Sequence, residues 1–159
     1  MAFIHQTAII HPNVKLGDNV TIGAYSVIGG CPEHKDYFNK PYKGVVIGDN
    51  VWIGEAVTVH AGTAQDTIIG NDVILLTKCQ IGHDVVIEDG CTISCLACVC
   101  GHSVIQSNTN IAVGAVIHQK VTVPSGCIVG MNSCVTKRTE MQPNSKYVGN
   151  PARYLSPNK

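Results

Sequence analysis

From Ile69 the chain reads IGNDVI-LLTKCQ-IGHDVV-IEDGCT-ISCLAC-VCGHSV-IQSNTN-IAVGAV-IHQKVT-VPSGCI-VGMNSC-V, ending at Val135. Each block opens on an aliphatic residue: Ile69, Leu75, Ile81, Ile87, Ile93, Val99, Ile105, Ile111, Ile117, Val123, Val129 and Val135. Four residues on stands a small or β-branched residue, as at Val73, Cys79, Val85, Cys91, Ala97, Ser103, Thr109, Ala115, Val121, Cys127 and Ser133. A period of six does not match the 3.6 of an α-helix. It fits very short strands joined by tight corners, with three blocks closing one coil of about 18 residues and coils stacked about 4.8 Å apart. The pattern predicts an all-β chain folded as a parallel β-helix. Glycine often follows the aliphatic directly, at Gly48, Gly54, Gly70, Gly82 and Gly130. We expect these to turn the corners with φ > 0.

Outward from this run, Ile4, Ile10, Leu16, Ile22 and Ile28 keep the period, as do Ile47, Ile53 and Val59. Residues 31–46 (CPEHKDYFNKPYKGVV) interrupt it and read as an excursion loop. Val59 to Ile69 spans ten residues instead of six, so four residues leave the wall near Ala61–Asp66. The expected organisation is a β-helix over 1–138 and a cap or arm over 139–159, where Pro143, Pro151 and Pro157 stand.

Composition narrows the function. Eleven basic and eleven acidic residues in 159 leave no net charge, so no field favours a nucleic-acid partner. No apolar run approaches the roughly 20 residues of a membrane span. The start, MAFIHQTAIIHP, carries no positive leader, and we expect a cytoplasmic protein. Eight cysteines could suggest disulfides, but nothing marks secretion. Cys95 and Cys98 form a C-x-x-C with Cys91 and Cys100 nearby. The hexads scatter these four over different faces, and Cys91 and Cys127 fall at the small inward position. No metal is expected.

Residues 18 apart should stack. Gly101 then lies over His83 and Gln119 over Gly101, while Asp84, His102 and Lys120 form the next column. Allowing for the insertion, His60, Gly82, Cys100 and His118 form another. An imidazole near neutral pH can take a proton from a hydroxyl or amine. A neighbouring carboxylate can fix its tautomer, and a bare amide can hold an oxyanion. The cluster therefore suits acyl transfer through His83, Asp84 and Gly101. Two alternatives stay open: a zinc enzyme like the γ-carbonic anhydrases, which need a closely spaced His pair not found here, and a non-catalytic structural or sugar-nucleotide-binding trimer.

At IGHD (Ile81 to Asp84) the sequence resembles the hexapeptide-repeat acyltransferases, in particular the UDP-N-acetylglucosamine O-acyltransferases of lipid A synthesis. The matching segments are residues 45–63, 75–84, 97–104 and 115–120. The resemblance implies a left-handed coil, a homotrimer and an acyl thioester donor with a sugar or nucleotide-sugar acceptor. It implies His83 as general base, Asp84 as its acid and Gly101 as the oxyanion amide. It places His60, His102, His118 and Gln119 near the acceptor, and makes Lys35 and Asp36 the nearest candidates for an acid and a lysine on the excursion loop. Gln80 stands where the family has a histidine. The family's C-terminal helical domain has no counterpart in the expected elements. The tail instead reads YVGNPARYL, similar to smaller coenzyme-A-dependent acetyltransferases. That similarity implies acetyl-CoA or another acyl-CoA as cosubstrate, with acyl carrier protein as the alternative donor. Gly149, Asn150 and Arg153 of this tail, with Lys120, Lys137 and Arg138, are the candidates for the coenzyme.

Overall fold

The computed structural model describes residues 3–159. Its strands are mostly two residues long, because each hexad spends its remaining residues on a corner. Ile74–Leu75, Gln80–Ile81 and Val86–Ile87 each enter a different sheet, and three sheets of nine, seven and six strands result. Except at the last strand, pairing within a sheet is parallel and joins residues one coil apart, such as Leu75 with Ile93 and Ile93 with Ile111. The sheets close into a left-handed parallel β-helix. Among the described residues no helix is long and apolar enough to cross a membrane.

All twelve aliphatics that open the hexads from Ile69 are buried. Their stack fills the prism, and each fully buried side chain of this size contributes about 1.5–3 kcal/mol. The small inward residues do more than save space. Ser103 Oγ donates to His118 O (2.9 Å) and Thr109 Oγ1 to Pro124 O (3.0 Å). Cys91 Sγ reaches Gln106 O (3.1 Å) and Cys127 Sγ reaches Gln142 O (3.2 Å). The thiols repeat the hydroxyl's task of satisfying a corner carbonyl of the next coil. Burial pushes the Cys91 thiol up to about 11 and Cys79 up to about 12, so both stay protonated, and Cys91 remains a donor. All eight cysteines are free thiols.

The expected role of the glycines is corrected. The left-handed φ falls three residues after the aliphatic in most hexads, on Asn50, Asp72, Lys78, Asp84, His102, Lys120 and Asn132 among others, and not on Gly48, Gly54, Gly70, Gly82 or Gly130. Those glycines are needed for space. A Cβ on Gly82 would sit 2.7 Å from Gly101 N, and one on Gly54 would sit 3.0 Å from Thr77 N, in the next coil.

Two boundaries also differ from expectation. The excursion is shorter than 31–46: Val45–Ile47 is a strand, since Val45 and Ile47 are buried in the core. The inward series runs past residue 138. Tyr147 is buried in Ser145–Val148, which pairs in parallel with Ile128–Val129. Arg153–Pro157 then pairs antiparallel with Ser145–Val148 as the outermost strand.

Candidate functional site

The site grows from the corner after Gln80–Ile81. Gly82 carries no side chain, His83 follows, and Asp84 takes the left-handed conformation (φ 58°), its N–H donating to Thr67 Oγ1 (2.9 Å). This turn points the Asp84 carboxylate inward, beneath the His83 ring. The four extra residues near Ala61–Asp66 wrap over it. Asp84 Oδ2 accepts from Thr63 N–H (2.9 Å) and Thr63 Oγ1 (2.7 Å). Asp84 Oδ1 accepts from Ala64 N–H (2.8 Å) and Gln65 N–H (2.9 Å). His83 Nδ1 completes the set, 2.7 Å from Oδ2.

Burial alone would raise the Asp84 carboxyl. Hydrogen bonds from Gln65, His83 and Thr63 outweigh it and hold the group well below the usual carboxylate range. An ionised Asp84 accepts only, so His83 Nδ1 carries the ring proton and Nε2 keeps its lone pair. His83, Asp84 and His102 lie close enough together to suggest a cation site. The lone pairs of Asp84 are already committed to five donors, however, and a metal would have to displace the 63–65 segment.

His83 Nε2 faces Gly101 in the coil above. A Cβ there would lie 2.8 Å from Nε2. Gly82 leaves the same amide uncovered, and no acceptor among the described residues takes the Gly101 N–H. The His102 ring packs edge-on against His83 (5.0 Å, 89°), with Nε2 3.8 Å from Asp84 Oδ2.

The excursion loop closes the other side. His34 meets the His83 ring edge-on at 5.8 Å. Glu33 Oε2 accepts from Gln80 Nε2 (3.1 Å) and lies 3.7 Å from His60 Nε2, while His60 Nδ1 is 3.0 Å from Cys31 O. His60, Gln80, His83, Gly101 and Gln119 thus line one crevice of about 240 Å³, joined by Glu33, Cys98 and Cys100.

A larger groove of about 790 Å³ opens toward the C-terminal end, where His118, Lys137, Arg138 and Arg153 are brought together with Tyr154. Neighbouring His118 and Gln119 thus face one cavity each. The expected residues do not all converge. Lys35 and Asp36 are exposed and line neither cavity; Asp36 N–H donates to His34 Nδ1 (3.3 Å). The acidic group that reaches the crevice is Glu33. Lys120 is exposed at the corner above His102 and lines neither cavity. Gly149 and Asn150 also lie outside the groove lining and form the turn that delivers Pro151, Ala152 and Arg153 to it.

Sequence reasoning missed Glu33, His34, Thr63 and Gln65. The ten-residue interval was a visible signal for Thr63 and Gln65. Glu33 and His34, near the loop's start, gave no comparable signal.

The first thirty residues match the family described as bacterial transferase hexapeptide (six repeats). A UDP-N-acetylglucosamine O-acyltransferase of Saccharophagus degradans is 35% identical over 57% of this chain and 50% of its own length. One from Stutzerimonas stutzeri is 28% identical over 99% of this chain and 75% of its own. The chain spans about half the length of most of these curated relatives. The solved UDP-N-acetylglucosamine acyltransferase of Bacteroides fragilis superposes with a TM-score of 0.92 at 26% identity, over 99% of this chain and 61% of that one. That of Moraxella catarrhalis gives 0.78 at 26%, over 99% and 73%. Repeat, coil and relatives agree in likening the chain to the hexapeptide-repeat acyltransferases.

Proposed function

We propose that the protein transfers an acyl group, of short chain such as acetyl, from a thioester to a hydroxyl or amine of a sugar or nucleotide-sugar. The donor is an acyl-CoA such as acetyl-CoA, or an acyl carrier protein. The observation that carries this reading is the His83–Asp84 pair, 2.7 Å apart, set against the bare amide of Gly101. His83 Nε2 takes the proton as the acceptor atom attacks the thioester carbonyl. Asp84 keeps the ring in the right tautomer and stabilises the imidazolium. The Gly101 N–H receives the oxyanion as the tetrahedral intermediate forms. The intermediate then expels the thiolate, which takes up the proton.

Substrate class rests on the relatives, which are named for UDP-N-acetylglucosamine, and on the larger groove. Lys137, Arg138 and Arg153 line that groove and would meet the phosphates of a coenzyme or nucleotide. The short acyl group rests on the Gly149–Arg153 tail. Assembly as a homotrimer is supported by apolar side chains left exposed on the walls, such as Trp52, Ile68, Ile74 and Val116.

The test is a screen of acetyl-CoA, longer acyl-CoAs and acyl carrier protein against UDP- and dTDP-amino-sugars, read by mass spectrometry. An acylated product from the wild type, absent with His83→Ala, supports the reading. Equal turnover by His83→Ala would overturn the base. Product from the carrier-protein donor alone would overturn the short-acyl, coenzyme A form of it.

A further inference from the structure

The acceptor atom proposed above is a hydroxyl oxygen or an amine nitrogen, and the hydrogen-bond polarity of the crevice separates the two. His60 fixes the first link. Its Nδ1 lies 3.0 Å from Cys31 O, which only accepts, so Nδ1 carries the ring proton and Nε2 is an acceptor. Gln80 Nε2 stands 3.5 Å from that Nε2 and 3.1 Å from Glu33 Oε2. Both neighbours accept, so the Gln80 NH2 sits between them with its two N–H donors committed. Gln80 Oε1 and Glu33 Oε1 are then left with no donor among the described residues. The crevice lining holds the Glu33 carboxylate and neither lysine nor arginine. Gln119, its other amide, lies two coils above His83. Beside His83 the crevice therefore offers acceptors: Glu33, Gln80 Oε1 and His83 Nε2. We infer that the acceptor atom is an amine, carried by an amino sugar or its nucleotide and held as the ammonium by Glu33 and Gln80. For turnover this rests on the proposed acyl-transfer reading; for binding it rests on the crevice alone.

Donor count is the physical reason. A neutral amine brings two N–H donors and a lone pair. One N–H meets Glu33 or Gln80 Oε1, the other meets His83 Nε2, and the lone pair is left for the thioester carbonyl. A hydroxyl brings one proton. Given to His83, it leaves the Glu33 and Gln80 oxygens unpaired, which a partly enclosed site disfavours. The step balances. The bound ammonium gives one proton to water, and the free amine forms the C–N bond. His83 Nε2 takes a second proton while the Gly101 N–H holds the oxyanion. The C–S bond then breaks, the imidazolium returns that proton to the departing thiolate, and the third hydrogen stays on the amide.

The test presents matched acceptors to the full chain: UDP-glucosamine against UDP-glucose, and dTDP-aminodeoxyhexoses against the dTDP-hexoses in which a hydroxyl replaces the amine. Binding is read by titration calorimetry without a donor, and turnover by mass spectrometry with each donor of the screen above. In at least one pair the amine should bind at least about tenfold tighter than its hydroxyl partner near neutral pH. Its kcat/KM should be at least about a hundredfold higher. Glu33→Gln should remove most of the binding preference and leave the hydroxyl member within about twofold. Gln80→Met, which deletes Oε1 and releases Glu33, should weaken amine binding severalfold. The preference should also fall as pH rises through the amine's own titration, because the neutral amine lacks the charge that Glu33 attracts. Equal or absent binding in every pair, or an unchanged preference in Glu33→Gln, would overturn the inference. Acylation of the hydroxyl members alone would overturn it and leave acyl transfer standing. Glu33-dependent amine binding by a protein that acylates nothing would uphold this inference and count against the acyl-transfer reading.

Discussion

The His83 ring covers Gly101 so closely that a Cβ on residue 101 would meet its Nε2 at 2.8 Å. Gly101 is not among the left-handed positions, so alanine is tolerated there by the backbone and excluded by the imidazole. Gly101→Ala should keep the fold and lose kcat by about a hundredfold, with a shifted His83 ring signal by NMR. A melting temperature and a kcat both at wild-type values would contradict the geometry.

For His83→Ala we expect a kcat at least about a hundredfold lower, with KM for the acceptor changed less. The check is steady-state kinetics on whichever pair the donor screen yields. Circular dichroism should match the wild type, because the ring is not part of the core stack.

Asp84 makes a pH prediction with a definite sign. Its carboxyl is lowered in the folded chain, so its contribution is fully present above the ordinary Asp value of about 3.9 and is lost as pH falls toward the folded value. Wild-type stability should therefore decline in acid below about pH 4. Asp84→Asn presents an amide NH2 to the Thr63–Gln65 donors and should cost about 3 kcal/mol at neutral pH. Denaturant melts across pH should show the gap between the two proteins narrowing in acid.

Thr63→Val removes one hydroxyl donor and keeps the shape and the backbone N–H. We expect kcat to fall by about three- to tenfold, far less than for His83→Ala, with Thr63→Ser restoring most of it. A loss in both variants alike would point to packing and not to the 2.7 Å bond to Asp84.

The larger groove separates binding from chemistry. Arg153→Ala or Lys137→Ala should raise KM for a phosphate-bearing donor about five- to twentyfold and leave kcat nearly unchanged. Added salt should shrink the difference.

The inward thiols can be tested for their donor role. Cys91→Ser offers a hydroxyl to Gln106 O and should alter stability by under about 1 kcal/mol, whereas Cys91→Ala leaves that carbonyl unpaired and should cost about 1–3 kcal/mol. The comparison is of melting midpoints at one pH.

Much of this was legible because the coil converts sequence distance into height. The aliphatics of Ile69 to Val135 announced the core, and counting by 18 placed Gly101 over His83. The small inward positions were visible as well. The target of the four-residue insertion was not: nothing in Ala61–Asp66 names Asp84, 20 residues on, as the group its amides grip. The excursion loop escaped for a related reason. It lies off the repeat, so Glu33 and His34 reach the crevice by a path the period does not describe, while Lys35 and Asp36 turn outward. Backbone handedness was assigned to the wrong residues because glycine's freedom and glycine's emptiness leave the same trace in a sequence. Here Gly82 supplies the emptiness and Asp84 takes the turn.

A pile of identical parallel rungs has no internal reason to halt, and its last open ladder invites a rung from another molecule. The reversed strand Arg153–Pro157 answers that hazard. It breaks the parallel polarity and presents a charge at one end and a proline, which has no N–H to offer, at the other. The segment that delivers Arg153 to the groove thereby also closes the parallel ladder of the nine-stranded sheet.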